Sequence, residues 1–142
     1  MTTTTNSKEY SKRYGHYNCL LCGEHNRWGL GLKFKLLDDG RVHTRVKSSQ
    51  KLQGYEGILH GGVMCALLDA AMVHCLFHND IQAVTADMNI RFFESVPCKT
   101  KVDLFGEIIE KTRSLFYMKA EIIYNEKLMA KATARFMKKT KS

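Results

Sequence analysis

The chain has 142 residues, with 22 Lys and Arg against 14 Asp and Glu, a formal net charge of +8 and five cysteines. That length fits one domain with a real core and does not divide comfortably into two. Its longest apolar run, Val63 to Phe77, is shorter than the roughly 20 residues a bilayer span needs and carries Asp69 and His74 inside, which excludes a transmembrane helix. Met1 to Tyr14 is Thr-rich and charged, with no secretory apolar core, so the chain reads as soluble and cytoplasmic with reduced thiols. The positive balance suits a polyanionic partner, which could be nucleic acid, anionic lipid or a phosphate-bearing small molecule. Part of it sits in Lys138, Lys139 and Lys141, read as a solubilising tail.

In chain order, Met1 to Tyr14 is polar and without period and is predicted to be mobile or loosely docked. The expected boundaries are a flexible segment at 1–17, a domain at 18–137 and a basic tail at 138–142. Asn18 to Asn26 contains Cys19-Leu20-Leu21-Cys22-Gly23. Two Cys at that spacing supply half of a tetrahedral zinc site, and His16 and His25 are near in sequence. No second C-x-x-C follows, so the reading taken is a compact Cys/Gly turn with no metal. Cys19 and Cys22 are the residues that would hold zinc. A thioredoxin-type redox role lacks the surrounding βαβ pattern.

From Leu30 the period becomes two. Leu30, Leu32, Phe34 and Leu36 face one way, Asp38-Asp39-Gly40 supplies a turn, and Val42, Thr44 and Val46 alternate on the return, predicting a β-hairpin. After a glycine-interrupted loop, Leu52 to Gly57, come His60-Gly61-Gly62 and a helix whose apolar residues recur at spacings of three and four. Its remaining face is mostly Ala and Val, so it is expected to be buried nearly all round. The paired glycines let the backbone approach a ligand, and the first-turn N–H groups with their dipole suit an anion or a developing oxyanion.

The rest is strand-like. Val84, Ala86, Met88, Ile90 and Phe92 alternate with Thr85, Asp87, Asn89 and Arg91. Lys101 to Glu110 follows with Gly106 as a bulge candidate, then Leu115 to Tyr124, a reversal at Asn125-Glu126, and a last strand with Leu128, Ala130, Ala132, Ala134 and Phe136 on one face. One helix against a long antiparallel sheet is an α+β domain. Its uncovered edges predict a homo-oligomer.

Asp69 lies nine residues after His60, mid-helix, so it is not a cap. A carboxylate among Leu67, Leu68, Ala70 and Ala71 needs a partner or a polar cavity, and burial would raise its pKa toward that of a general base. A structural Asp bonded to backbone or to a subunit neighbour explains the pattern equally well.

Gln53-Gly54-Tyr55-Glu56-Gly57-Ile58-Leu59-His60-Gly61-Gly62, then Leu67-Leu68-Asp69, then Val84-Thr85-Ala86-Asp87-Met88-Asn89-Ile90, resembles the signature of hotdog-fold acyl-CoA thioesterases of the phenylacetyl-CoA type. The Cys19-to-Gly23 stretch and Trp28-Gly29-Leu30-Gly31-Leu32 resemble an extension seen in one branch of that family, and the similarity covers about residues 18 to 137. The resemblance implies a hotdog fold of five to six strands around one long central helix, and a dimer or dimer of dimers with active sites between subunits. It implies thioester hydrolysis without a cofactor. Gly61 would offer its N–H to the thioester oxygen, and Asp69, from the other subunit, would activate water or attack the carbonyl. Thr85 would orient that water or the acid, and His60 would hold the turn or polarise the carbonyl.

Gly62, Gln53, Glu56 and Arg91 are the substrate-binding candidates, with Arg91 and Arg135 as cations for the coenzyme A phosphates. Many members carry an Asn six residues before the motif His. Here that position is Gly54, and Gln53 or Glu56 would have to compensate. The branch also often has an acid directly after the helix Asp, where Ala70 stands here. The partner expected is acyl-CoA, with no nucleic acid and no membrane. A non-catalytic acyl-CoA or lipid sensor on the same scaffold is the alternative. A transcriptional regulator lacks a helix-turn-helix segment, single-stranded nucleic-acid binding has only Phe136 near the tail lysines, and a dehydratase lacks its His/Asp pattern.

Overall fold

Strand β1 is Lys35–Leu36 and β2 is Val42–Lys47; a 3-10 turn at Gln50–Leu52 precedes helix α1, Gly61–Phe77. Strands β3 (Ala83–Phe92), β4 (Lys101–Lys111), β5 (Leu115–Tyr124) and β6 (Lys127–Lys138) complete the chain. The computed structural model describes residues 15–139, so the expectations for Met1 to Tyr14 and for Lys141 lie outside the described residues. The strands form one antiparallel sheet in the order β1-β2-β4-β5-β6-β3, with α1 packed across β4 and β5. This is the wrapped-helix arrangement that the hotdog resemblance implies. Among the described residues no helix is long and apolar enough to cross a membrane.

The predicted hairpin forms, but its first strand is short. Leu32 and Phe34 are buried as expected. The N–H groups of Leu30 and Leu32 bond instead to the carbonyls of Leu20 and Leu21, both at 2.9 Å. The N-terminal turn therefore takes the backbone partners that a longer β1 would have needed.

Leu67, Leu68, Ala71, Met72 and Cys75 of α1 are fully buried against the sheet. Each large side chain buried this way contributes about 1.5–3 kcal/mol. Gly106 sits where β4 crosses under the helix, and a Cβ there would collide with the Ala71 carbonyl. Gly106 is thus no bulge: it pairs in register with Val42 and Ala120, and the shift in β4 falls between Ile108 and Glu110. Nor is α1 buried all round. Gly62, Ala66, Asp69 and Val73, spaced by four, three and four, form a stripe that stays partly open in the single chain.

Two bulges reset the phase read from the sequence. In β3 the register shifts between Thr85 and Asp87, so Thr85 shares the helix-facing side with Met88 and Ile90, opposite Phe136, Ala134 and Ala132 of β6. Val84, expected on that side, is turned outward and 52% exposed. In β6 the shift comes where Ile123 meets Leu128 and Ile122 meets Ala130. Leu128 therefore leaves the face it was expected to share with Ala130, and Met129 is buried instead. Asn125 and Glu126 reverse the chain with φ of 54° and 65°, the two positive values a tight primed hairpin turn requires.

Candidate active site at the start and middle of helix α1

His60 is the N-cap of α1, in extended backbone, and its Nδ1 accepts the Gly62 N–H at 2.8 Å. An accepting Nδ1 is unprotonated, so the ring proton of the neutral form is on Nε2. A Cβ on Gly62 would lie 3.0 Å from both Cε1 and Nδ1 of His60, so any larger residue there would press the capping ring aside. The loop before the helix is tied at several points: His60 N–H to Leu52 O at 2.8 Å, Leu59 N–H to Val96 O at 2.8 Å, and Gly57 N–H to Gln53 Oε1 at 3.1 Å. The Gly61 N–H, in the first helical turn, has no acceptor among the described residues. Gly61 lines an open cleft of about 840 Å³, together with Gly54, His60, Gly62, Met64, Phe92 and Phe93.

Asp69 is eight residues beyond Gly61, which is about 12 Å along the helix axis. It lies on the open stripe of α1 and is half-buried, not enclosed by the core as expected, because the neighbouring face of β3 is itself exposed. Its partner is Thr85, whose Oγ1 donates to Asp69 Oδ1 at 2.7 Å. The Asp69 charge also reaches the N-terminal segment. Burial lowers the pKa of His16, Lys139 lowers it further, and Asp69 opposes both.

Of the other candidates, Gln53 and Gly62 line the cleft, whereas Glu56 and Arg91 do not. Arg91 is exposed on β3 opposite Lys131, and Arg135 is committed to Asp87, its Nε donating to both carboxylate oxygens at 3.0 and 2.9 Å. That guanidinium holds the Asp87 carboxyl below its usual range. His60 is exposed and caps the helix, which agrees with the expectation that it holds the turn. At Gly54, a Cβ would lie 3.3 Å from both Cα and Cδ2 of His60, a tight contact that would press on the capping residue. Cys19 and Cys22 come together with His16, while His25 stacks on Tyr17 with ring centroids 3.9 Å apart.

Met64, Phe92 and Phe93 were not singled out from sequence. The one signal for them is the adjacent aromatic pair, which breaks the alternation at the end of β3.

Residues 56–130 match the thioesterase superfamily. The chain belongs to that superfamily. It is 29% identical over 115 residues to acyl-coenzyme A thioesterase THEM4 of Bos taurus; the match covers 78% of this chain but only 47% of that protein. The fold is shared with zebra fish thioesterase superfamily member 2 at a TM-score of 0.73, with 16% identity, 92% of this chain and 98% of that one covered. It is also shared with smu.793 of Streptococcus mutans, solved bound to acetyl CoA, at a TM-score of 0.71, with 20% identity and 78% and 90% covered. The superfamily match runs from the loop before α1 into β6, and so contains Gly61, Asp69 and Thr85. The Cys19–Cys22 turn of this thioesterase-superfamily chain lies before the matched span.

Proposed function

We propose that the chain is an acyl-CoA thioesterase, with residues 18–137 as its working domain, cleaving the thioester to free acid and coenzyme A. The observation that carries this is the Gly61 N–H left without an acceptor where α1 opens on the cleft. A helix-terminal N–H at such a point stabilises the negative charge that develops on a thioester oxygen under attack. The name of the bovine relative and the acetyl CoA bound to the streptococcal protein support the substrate class.

Reacting atoms must lie within about 3–3.5 Å of each other. Gly61 and Asp69 of one chain, about 12 Å apart along the helix, therefore cannot serve one thioester together. The reading that satisfies both is a homodimer, or a dimer of dimers, in which Asp69 of a second copy enters the cleft beside Gly61. The open stripe of α1 and the exposed β3 supply the surface for it.

Asp69 then takes a proton from water as the water oxygen adds to the carbonyl carbon, or adds through its own carboxylate oxygen to give an anhydride that water opens. In either route the oxyanion rests on Gly61 N–H and the coenzyme A thiolate leaves. Thr85, donating to Oδ1, leaves Oδ2 of Asp69 for the proton or the bond. His60 shapes the donor by capping the helix.

A panel of acyl-CoAs with a thiol-reactive dye tests the reading. Coenzyme A release is expected from the unaltered protein, and Asp69→Ala should reduce it by about 10²–10⁴-fold with the oligomer unchanged in sedimentation. Full activity in Asp69→Ala sinks the mechanism. The lack of an amide at Gly54 favours a second reading, a non-catalytic acyl-CoA sensor. Tight binding of acyl-CoA with no release of thiol would decide for it.

A further inference from the structure

We propose that His16 Nδ1, Cys19 Sγ and Cys22 Sγ form a binding site for a thiophilic divalent cation, zinc(II), outside the candidate active site. The three donor atoms lie within 4.8 Å of one another. Cys22 Sγ and His16 Nδ1 are 3.5 Å apart. With Zn–S of about 2.3 Å and Zn–N of about 2.0–2.1 Å, a tetrahedral ion holds S and N ligands about 3.5 Å apart, so that edge already has its ligated length.

The backbone holds the turn closed and points one N–H at a ligand sulfur. Leu21 N–H points at Cys19 Sγ at 3.4 Å, Cys19 N–H bonds to His16 O at 3.0 Å, and Gly23 N–H bonds to Cys19 O at 2.8 Å. An N–H aimed at a sulfur stabilises it as an anion. Gly23 closes the turn because a Cβ there would collide with the backbone of Cys19 and Tyr17. The site is also anchored: the His16 ring meets the Phe77 ring of α1 edge-on at 4.9 Å, and the Cys turn is bonded to Leu30 and Leu32.

Two thiolates and an imidazole favour zinc over the hard cations magnesium and calcium. Among the described residues three side chains form the cluster, which leaves the fourth position open to water or another ligand. Binding displaces two thiol protons to solvent, and the dipositive ion with two thiolates leaves the site neutral. The ion would lock the N-terminal turn onto the C-terminal half of α1.

The test is metal content after expression in zinc-supplemented medium and gel filtration. About one zinc per chain is expected, falling below about a tenth in Cys19→Ser/Cys22→Ser, with affinity at least about tenfold weaker in His16→Ala. Should the double variant not fold, alkylation of the unaltered chain decides. Zinc should protect the Cys19 and Cys22 thiols and a chelator should expose them, with Cys65 and Cys98 labelled alike in both conditions. No retained zinc, equal labelling of Cys19 and Cys22 with and without zinc, or a Cys19–Cys22 disulfide in protein purified under reductant would overturn the assignment.

Discussion

Thr85 Oγ1 lies 2.7 Å from Asp69 Oδ1 and donates to it, joining the edge strand β3 to the middle of α1. The bond exists because the register shift between Thr85 and Asp87 turns Thr85 toward the helix. It occupies one carboxylate oxygen and leaves the other to meet a substrate or a water.

Thr85→Val removes that donor while keeping the shape of the side chain. Under the proposed mechanism kcat should fall by about 10–100-fold with KM within about threefold, because the lost contact orients the acid and not the substrate. Thr85→Ser, which keeps the hydroxyl, should recover most of the rate. Both residues are partly exposed, so stability should change by less than about 1 kcal/mol, measured by urea denaturation. A Thr85→Val protein with unaltered kcat removes Thr85 from the mechanism.

His60 separates capping from direct catalysis. Loss of the N-cap in His60→Ala should cost about 0.5–2 kcal/mol of stability and loosen the Gly61 N–H, lowering turnover. Asn caps helices well, so His60→Asn should restore both stability and most of the activity. If His60 polarises the carbonyl through its ring, the Asn variant will be as slow as the Ala variant although its melting temperature recovers.

Gly106→Ala places a methyl group against the Ala71 carbonyl, where neither backbone can yield cheaply. The expected loss is at least about 1–3 kcal/mol, a fall of several degrees in thermal midpoint. An unchanged midpoint would mean that α1 rides further from β4 than described.

His74 is fully buried between Phe34 and Phe77, with centroid distances of 4.7 and 5.3 Å, and neither ring nitrogen has a hydrogen-bond partner among the described residues. Burial, with His16 and His78 adding to it, lowers its pKa to about 3. Below the ordinary His value of about 6.5 the unfolded chain takes up a proton that the folded chain refuses until pH is near 3. This contribution to stability is therefore complete above about pH 6.5 and is lost progressively as pH falls toward 3. Replacing the ring by an apolar one, His74→Phe, should flatten this acid limb and add about 1–3 kcal/mol by removing buried unpaired nitrogens. Denaturation midpoints from pH 4 to 7 read both effects; a parallel acid limb in the two proteins excludes His74 as its source.

The helix was legible because Met64, Leu67, Leu68, Ala71, Met72 and Cys75 repeat at spacings that only α-geometry places together, and α1 ends at Phe77 as that pattern predicts. Leu115–Tyr124 was legible for a similar reason, since its apolar run is bounded on both sides by turn residues. The hydroxyl facing the acid was harder. Strict alternation puts Thr85 opposite Met88 and Ile90, whereas the extra residue in β3 puts all three on one side. Bulges depend on how two distant strands settle against each other, and a single strand's pattern does not encode them.

By itself the sequence determined the elements, their order, the glycine pair at the start of α1 and the isolated carboxylate in its middle. These follow from local periods and from the few residues that can occupy a tight turn. The tertiary structure decided what those residues face. It turned Thr85 to Asp69, left the Asp69 stripe open, set the His60 ring beside Gly54, and brought His16 to the two cysteines. The first two depend on packing between separate elements, where a register shift settles which side of a strand meets the helix, and the last two on how single loops close on themselves.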